Sequence, residues 1–326
     1  MLEVVTPGPL LTLQDRGRPG LARLGVPLSG ACDPWGLAVA NVLAEAPPDA
    51  VAVEVTLGGA LLRAIETCTV SLAGADLGAE LDDGRLLRTG AAHLLPAGSK
   101  IRFAGSPTGM RAYIGLAGGA TARQVLGSAS TCVQAGLGGI DGRPLRAGDL
   151  LEPARRGDLG ATGRTWPARM APHPAVRPGP IRFVPGPDLR HLPTDAAEAL
   201  TAAAWRVGSA SDRMGIRLEG AAVPAGREIL SHPVAPGAIQ VPADGRPLVL
   251  LVDGPTIGGY PVVGAVPRWE WPRLGQLRPG DRVTFEPQDA LEARAAWREQ
   301  QRLLAAAAEL IQPDALWDRL ADHAGG

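Results

Sequence analysis

Lysine is almost absent from this chain, and cysteine is scarce. Lys100 is the one lysine among 32 basic residues, and the net charge is −1, so we expect neither a nucleic-acid nor a membrane partner. The three cysteines, at positions 32, 68 and 132, have no CxxC spacing, which argues against a disulfide framework or a zinc site. No apolar run approaches the roughly 18 residues of a membrane span, and the first residues lack a signal-peptide pattern. We therefore expect a soluble, cytoplasmic protein.

The usual catalytic and nucleotide motifs are also missing. The sequence has no GxxxxGK[ST] phosphate loop, no GxGxxG after a strand, no HExxH and no GxSxG. The glycine-rich segment 136–139 is followed by no lysine and no helical pattern, so we interpret it as a hairpin turn. The five histidines are scattered without ligand spacing. The sequence therefore predicts no metal site.

Glycine and proline are abundant instead. The 43 Gly and 31 Pro occur without low complexity, and 45% of the residues are hydrophobic, which is enough for a core. Such a composition indicates short strands separated by turns, as in the alternating segment 100–103 and the apolar segment 247–252. Strands this short predict a mainly-β protein built from closed or nearly closed barrels, with a few short helices.

The length of 326 residues suggests two domains. Segment 161–180 has little apolar periodicity and is the expected linker between an N-terminal barrel at 1–160 and a C-terminal barrel at 181–288. LRAGDLL (145–151) resembles LRPGDRV (277–283), a weak sign of duplication. Residues 289–326 form the expected helical tail, since Ala and Leu recur at helical spacing up to Ile311; we expect this helix to pack on the body or on a partner.

Local sequence signals predict two further helices. Asp33-Pro34 has the pattern of an N-cap followed by proline at the first helical position. A second helix is predicted at about 194–204.

The segment DGPTIGGYP (253–261) combines an acid, a hydroxyl and two adjacent glycines, which is unusual directly after a buried strand. Gly258-Gly259 lets the backbone approach a partner without a Cβ in the way. Asp253 can accept hydrogen bonds or a proton, and Thr256 can donate. An ordinary tight turn with a capping Asp explains the pattern about as well.

Similar polar loops recur at 14–18, 29–33 and 211–213. Arg18 and Arg213 could each direct two hydrogen bonds onto a carboxylate or phosphate, and nearby acids could orient them or act as bases. For each loop taken singly, a purely structural Asp–Arg pairing is an equally good interpretation.

These loops are part of a series of ordered blocks that resembles a known family. The blocks are PGPLLTLQDRGRPG (7–20), GVPLSGACD (25–33), EVTLGG (54–59), SDRMG (211–215), PGAIQVP (236–242) and GGYP (258–261). They are similar to the biotin-dependent carboxyltransferase domain family, also called allophanate hydrolase subunit 2. That family includes the C subunit of 5-oxoprolinase, KipA-type partners of the kinase inhibitor KipI, and part of urea carboxylase. The resemblance covers about residues 2–287 and implies two cyclophilin-like barrels.

The resemblance implies that the chain functions together with other proteins in a complex. In the 5-oxoprolinase branch the chain would help open 5-oxo-L-proline to L-glutamate with two partners, the A subunit of the enzyme and its KipI-like B subunit. That reaction would use ATP with Mg at the level of the complex. In the carboxyltransferase branch the chain would act on urea or a related amide with carboxybiotin. Ser99-Lys100-Ile101 is not a biotinylation context, so biotin would arrive on a partner. A KipA-like binding protein without turnover is the third alternative.

Candidate site residues follow from the loops and the resemblance together. Asp253 is the predicted orienting acid or base, with Arg18 and Arg213 as anion-binding groups. The predicted substrate-binding residues are Gln14, Asp15, Ser29, Asp33, Ser211, Asp212, Gln240, Thr256, Gly258, Gly259 and Tyr260.

The chain departs from the family pattern at three places. Cys32 replaces a usual Met, and Gly254-Pro255 with Ile257 replace Arg-Gln and Thr. Val262 replaces a common lysine, which puts catalytic competence in question.

Overall fold

The structure is a computed structural model that describes residues 1–106, 108–225 and 229–311. Strands dominate these residues, and the α-helices are α1 (Pro34–Leu43), α2 (Ala196–Ala202), α3 (Trp271–Gln276) and α4 (Ala290–Ile311). Short 3-10 helices lie at Ala22–Leu24, Pro174–Val176, Pro187–His191 and Arg268–Glu270. The mainly-β class with a C-terminal helix is therefore confirmed.

The first half contains two five-stranded antiparallel sheets that share one hydrophobic core. The strand order is β10-β1-β4-β8-β6 in one sheet and β2-β3-β9-β5-β7 in the other. The strands are β1 (Leu2–Pro7), β2 (Leu10–Gln14), β3 (Ala52–Thr56), β4 (Ala60–Ala64), β5 (Cys68–Gly74), β6 (Ala79–Leu81), β7 (Ala91–Leu95), β8 (Lys100–Phe103), β9 (Arg111–Leu116) and β10 (Leu150–Leu151).

Helix α1 covers the outer face of the second sheet, so β9 is buried along its whole length. Asp33 caps this helix as predicted, because its Oδ1 accepts from the N–H of Gly36 at 2.9 Å and Pro34 follows. Gly115 on β9 allows the close approach, since a Cβ there would lie 2.5 Å from the carbonyl oxygen of Ala40. The helix therefore fixes the position of its own N-terminus, where the polar block 25–33 ends.

The second half forms an eight-stranded sheet around its own core, with α2 and α3 beside it. The strand order is β19-β12-β13-β16-β15-β18-β11-β20, and β14 pairs separately with β17. The strands are β11 (Ile181–Pro185), β12 (Trp205–Val207), β13 (Gly215–Glu219), β14 (His232–Pro233), β15 (Ala238–Gln240), β16 (Leu248–Leu250), β17 (Ile257–Gly258), β18 (Val262–Ala265), β19 (Arg282–Val283) and β20 (Phe285–Pro287). Strands β11 and β20 pair in parallel, whereas the neighbouring pairs β11–β18 and β12–β19 are antiparallel.

The two similar heptapeptides adopt the same local structure. Asp149 Oδ2 accepts from the N–H of Arg146 at 2.7 Å, and Asp281 Oδ2 accepts from the N–H of Arg278 at 2.8 Å. Each turn leads into a two-residue edge strand, β10 and β19 respectively. The halves are thus alike at this turn. The predicted domain boundaries and the cyclophilin-like comparison stay predictions.

Helix α4 packs on the body of the protein, where Ala307 and Ile311 join the cluster around α1. The rest of the predicted tail, 312–326, lies outside the described residues. Helix α2 is shorter than predicted, and the segment predicted as a turn after β16 contains β17. Within the described ranges, no helix is both long and apolar enough to cross a membrane.

Candidate functional site

A buried ion-pair network lies where the two halves meet, with Arg213 at its centre. Its Nε donates to Asp253 Oδ2 at 2.7 Å, and its Nη1 donates to Glu54 Oε1 at 2.6 Å. Its Nη2 donates to the carbonyl oxygen of Gly30 at 2.6 Å. Because Gly30 and Glu54 belong to the first half and Asp253 to the second, one guanidinium connects both halves.

Glu54 is the central carboxylate of this network. Its Oε2 accepts from the hydroxyl of Tyr113 at 2.7 Å, and Arg111 Nε lies 3.5 Å from Oε1. Burial alone would raise the pKa of Glu54, but Arg213 and Arg111 outweigh burial and leave that pKa below its ordinary value. Burial and the nearby Glu54 raise the pKa of Tyr113 well above its ordinary value. Glu54 is therefore ionised and Tyr113 remains a hydrogen-bond donor at neutral pH.

The pKa of Arg213 itself is raised well above its ordinary value. Burial would lower it, but the carboxylates of Asp253 and Glu54 beside the guanidinium dominate. Asp253 is 5% exposed and both of its carboxylate oxygens face Arg213. The pair thus joins the loop 211–215 to the segment after β16.

Asp33 forms a second contact between the halves. Its Oδ2 accepts from Gln276 Nε2 at 2.7 Å and lies 2.6 Å from His173 Nε2. Gln276 Oε1 in turn accepts from the N–H groups of Met110 and Arg111, both at 2.9 Å. Asp33 is fully buried, so in this structure it caps α1 and orders the contact between the two halves.

Arg18 and Asp15 order a separate loop of the first half. Arg18 donates to the carbonyl oxygens of Val125, Ser128 and Ser130 at 2.8–3.2 Å. Asp15 accepts from the hydroxyls of Ser128 and Ser130 at 2.6 and 2.5 Å, and from two backbone N–H groups. Arg18 is 1% exposed, and burial lowers its pKa. Its guanidinium is therefore directed into the protein.

A cavity of about 290 Å³ brings together several of the predicted binding residues. We call it the Gln240 cavity; among its lining residues are Asp212, Met214, Arg217, Gln240, Leu250, Pro255, Gly258, Gly259 and Tyr260. The amide nitrogen of Gln240 is buried and has no hydrogen-bond partner in the described part of the chain. A Cβ on Gly258 would lie 2.6 Å from that nitrogen, so a larger residue at this position would displace the Gln240 amide. The wall of the cavity thus contains an unused amide donor that lies buried against glycine backbone.

The remaining predicted residues lie elsewhere. Asp15 and Ser29 line a different cavity, beside α4. The Ser211 hydroxyl accepts from the N–H of Arg217 at 3.0 Å, and the Thr256 carbonyl accepts from the N–H of Val234 at 3.0 Å. Gln14 Nε2 donates to Thr12 and to the carbonyl of Thr131. The predicted residues therefore fall into two cavities and the buried networks between the loops; their functional roles stay predictions.

Sequence reasoning missed several members of these groups, namely Glu54, Arg111, Tyr113, His173, Gln276 and Arg217. A signal was present for Glu54, because it is a charged residue between two valines in strand β3. Gln276 and His173 carry no comparable local signal.

The structure shows what surrounds two of the residues that depart from the family pattern, Val262 and Cys32. Val262 fills an apolar cluster with Val234, Ala238 and Leu250. Cys32 is buried near Arg213, and burial is the main cause that raises the pKa of its thiol to about 11. Both side chains therefore belong to the interior.

Comparisons with known proteins agree with this architecture. The family model described as "Carboxyltransferase domain, subdomain A and B" matches residues 24–287. The chain is 34% identical to the C subunit of 5-oxoprolinase from Escherichia coli over 93% of this chain and 96% of that protein. It is 32% identical to the C subunit of the Haemophilus influenzae 5-oxoprolinase over 90% of this chain and 93% of that protein.

A solved structure is also similar. The urea amidolyase of K. lactis superposes with a TM-score of 0.84 and 25% identity, over 94% of this chain and 20% of that much longer protein. The fold, the ordered blocks and the relatives thus agree, and this chain belongs to the carboxyltransferase domain family, subdomains A and B.

Proposed function

We propose that this chain is the C subunit of an ATP-dependent 5-oxoprolinase, which opens 5-oxo-L-proline to L-glutamate together with the A and B subunits. The observation that carries the proposal is the similarity to the E. coli C subunit, which extends over 96% of that protein. Relatives that contain this unit within a longer chain, such as urea amidolyase, are matched over a far smaller share of their length.

The Gln240 cavity is the proposed substrate site. A lactam carbonyl accepts hydrogen bonds, and the buried amide nitrogen of Gln240 has no other partner in the described residues. Leu250 and Pro255 form an apolar part of the wall, and Tyr260, which is 38% exposed, lies at the rim. A volume of about 290 Å³ is at the small end for ligand sites and suits a single five-membered ring.

Arg213 and Asp253 act as positioning residues in this proposal. Their ion pair holds loop 211–215 against the segment after β16, and both segments line the cavity. A lactam carbonyl is a poor electrophile, and phosphorylation of its oxygen creates a good leaving group. The role of this chain is then to fix the ring and its carbonyl in a preorganised site.

The residues of this chain do not fit an ATP–Mg site of its own. The sequence has one lysine and no phosphate-binding loop. Among the described residues, no group of three or more His, Cys, Asp or Glu side chains is placed to hold a metal ion. ATP and Mg would then be held by the partner subunits of the complex.

Carboxyl transfer from biotin to urea or another amide is the second candidate. The similarity to urea amidolyase favours it, and the free amide of Gln240 would equally suit a ureido carbonyl. Val262, where a lysine is common in the family, leaves no cation at that position. A KipA-like binding role without turnover is the third candidate.

The test is co-expression with the A and B subunits of the complex and an assay of ATP hydrolysis that depends on 5-oxo-L-proline. We expect activity with 5-oxo-L-proline and none with urea. Biotin-dependent turnover of urea would support carboxyl transfer instead. Tight binding of the KipI-like partner without any turnover would support the binding role.

A pair of glycine variants tests the site. Gly258→Ala places a methyl 2.6 Å from Gln240 Nε2, so we expect a raised KM or lost turnover. Gly160→Ala is the control, because Gly160 is exposed and a Cβ there comes no closer than 3.2 Å to the Asp158 carboxylate. Equal activity of both variants would remove the Gln240 cavity from the mechanism.

A further inference from the structure

A second cavity, independent of the proposed substrate site, lies between the first half and α4. Its volume is about 140 Å³, and we call it the Ser29 cavity. Three tryptophans (Trp35, Trp271, Trp297) line it with Leu28, Pro34, Val252 and Leu304. An apolar cavity of about 150 Å³ accommodates a benzene-sized molecule. The Ser29 cavity is therefore large enough for one flat ring.

The cavity contains an unused polar group. Ser29 is 1% exposed, and its hydroxyl has no hydrogen-bond partner in the described part of the chain. A buried hydroxyl without a partner is unfavourable, so it points to a ligand or a solvent molecule. Ser29 also has a φ of 55°, a conformation in which glycine is the ordinary choice. The chain thus has a serine here although both the unpaired hydroxyl and the positive φ are unfavourable.

The cavity also contains a cation without a carboxylate. The guanidinium carbon of Arg268 lies 5.1 Å from the ring centre of Trp297 and 5.7 Å from that of Trp271. Arg268 has no hydrogen bond or ion pair among the described residues, and its side chain is exposed to solvent. Stacking on two indoles holds the guanidinium in place while its N–H groups stay available.

The other charged groups of the lining are already satisfied. Asp15 accepts hydrogen bonds from Ser128, Ser130, Gly17 and Ala129. Arg16 Nη1 pairs with Asp49 Oδ2 at 3.2 Å. Arg268 is therefore the charged group of the lining that has no hydrogen bond or ion pair within the described ranges, and its N–H groups are free to bind an anion.

We propose that the Ser29 cavity binds a small monocarboxylate with a flat apolar body. The carboxylate accepts from the Arg268 guanidinium and the Ser29 hydroxyl, and the body lies among the three tryptophans. Ser29 and Arg268 lie within the matched residues 24–287, whereas the wall formed by α4 lies outside them, so the cavity is completed by an element beyond the matched region. A monoanion fits better than a dianion, because Asp15 and Asp49 also line the cavity.

The test is calorimetric titration of the full chain with sodium benzoate, with benzyl alcohol as the uncharged probe. We expect benzoate to bind, and Arg268→Gln to weaken it about tenfold or more because a charge-assisted hydrogen bond is lost. Ser29→Ala should weaken benzoate by a smaller factor. Arg217→Gln, the same substitution in the Gln240 cavity, should leave benzoate affinity unchanged.

Three results would overturn the proposal. The first is no benzoate binding at millimolar concentrations. The second is loss of binding in Arg217→Gln but not in Arg268→Gln, which would place the probe in the Gln240 cavity. The third is equal loss of benzoate and benzyl alcohol in Arg268→Gln, which would show that Arg268 only maintains the shape of the cavity. Arg268→Lys separates the two roles further, since a retained charge should preserve part of the benzoate affinity.

Discussion

Replacing Arg213 by Met should destabilise this protein more than removal of any surface arginine. Arg213 is 6% exposed and pairs with Glu54 and Asp253, which are 0% and 5% exposed. Glu54 would keep Tyr113 and Arg111, but Asp253 would lose the guanidinium that both of its carboxylate oxygens contact. Removing one partner of a buried ion pair costs about 3–5 kcal/mol, because the other charge stays buried and uncompensated.

The assay is thermal unfolding followed by calorimetry and circular dichroism. A loss of about 3–5 kcal/mol corresponds to a fall in Tm of roughly 6–20 °C for a domain of this size. The matched control is Arg206→Met, because the Arg206–Glu219 pair is 61% and 41% exposed. Such an exposed pair contributes about 0–1 kcal/mol.

A second variant checks the cause of the loss. Arg213→Met combined with Asp253→Leu removes the unpaired charge along with its partner, and we expect part of the lost Tm to return. If Arg213→Met lowers Tm no more than Arg206→Met does, the buried network contributes little and the reasoning fails. If the double variant is no more stable than the single one, the loss does not come from the unpaired carboxylate.

The remaining predictions concern titration, thiol access and turnover. The pKa of Glu54 lies below its ordinary value of 4.5, so the ionised carboxylate stabilises the folded protein above about pH 4.5. This stabilisation is lost as the pH falls through the depressed pKa of the folded state. Urea titrations at descending pH should show the loss, and an unchanged free energy of unfolding in strong acid would contradict the prediction. Cys32, with a pKa raised to about 11, should resist iodoacetamide in the native protein at pH 8 and react after denaturation, as mass spectrometry of the peptide would show. Asp253→Asn should abolish turnover of the assembled complex while the circular dichroism spectrum persists, and unchanged activity would remove Asp253 from the site.

Local signals in the sequence predicted several of the elements, although α3 was not among them. Asp33-Pro34 specified the start of α1, because a capping carboxylate and a proline act within one helical turn. Strand β8 has the bounds that its alternation indicates, and the two heptapeptides form the same turn. Each of these features depends on atoms a few residues apart.

The grouping of the candidate site residues was predicted in part, because residue type is visible in the sequence but the direction in which each side chain points is not. Gln240, Gly258, Gly259 and Tyr260 were grouped from separate blocks, and they do line one cavity. Arg213 was expected to face a ligand, yet its N–H groups bond to carboxylates and a carbonyl inside the protein.

What the sequence alone determined, then, is the mainly-β class, the start of α1, the repeated turn and the family. Tertiary structure decided which charges meet, since Glu54 and Arg213 lie 159 residues apart and pair only after both halves have packed. It also decided which polar groups are left without a partner, such as the Ser29 hydroxyl and the Gln240 amide among the described residues. The physical reason is that turns and caps depend on neighbours in the chain, whereas charge pairing and burial depend on neighbours in space.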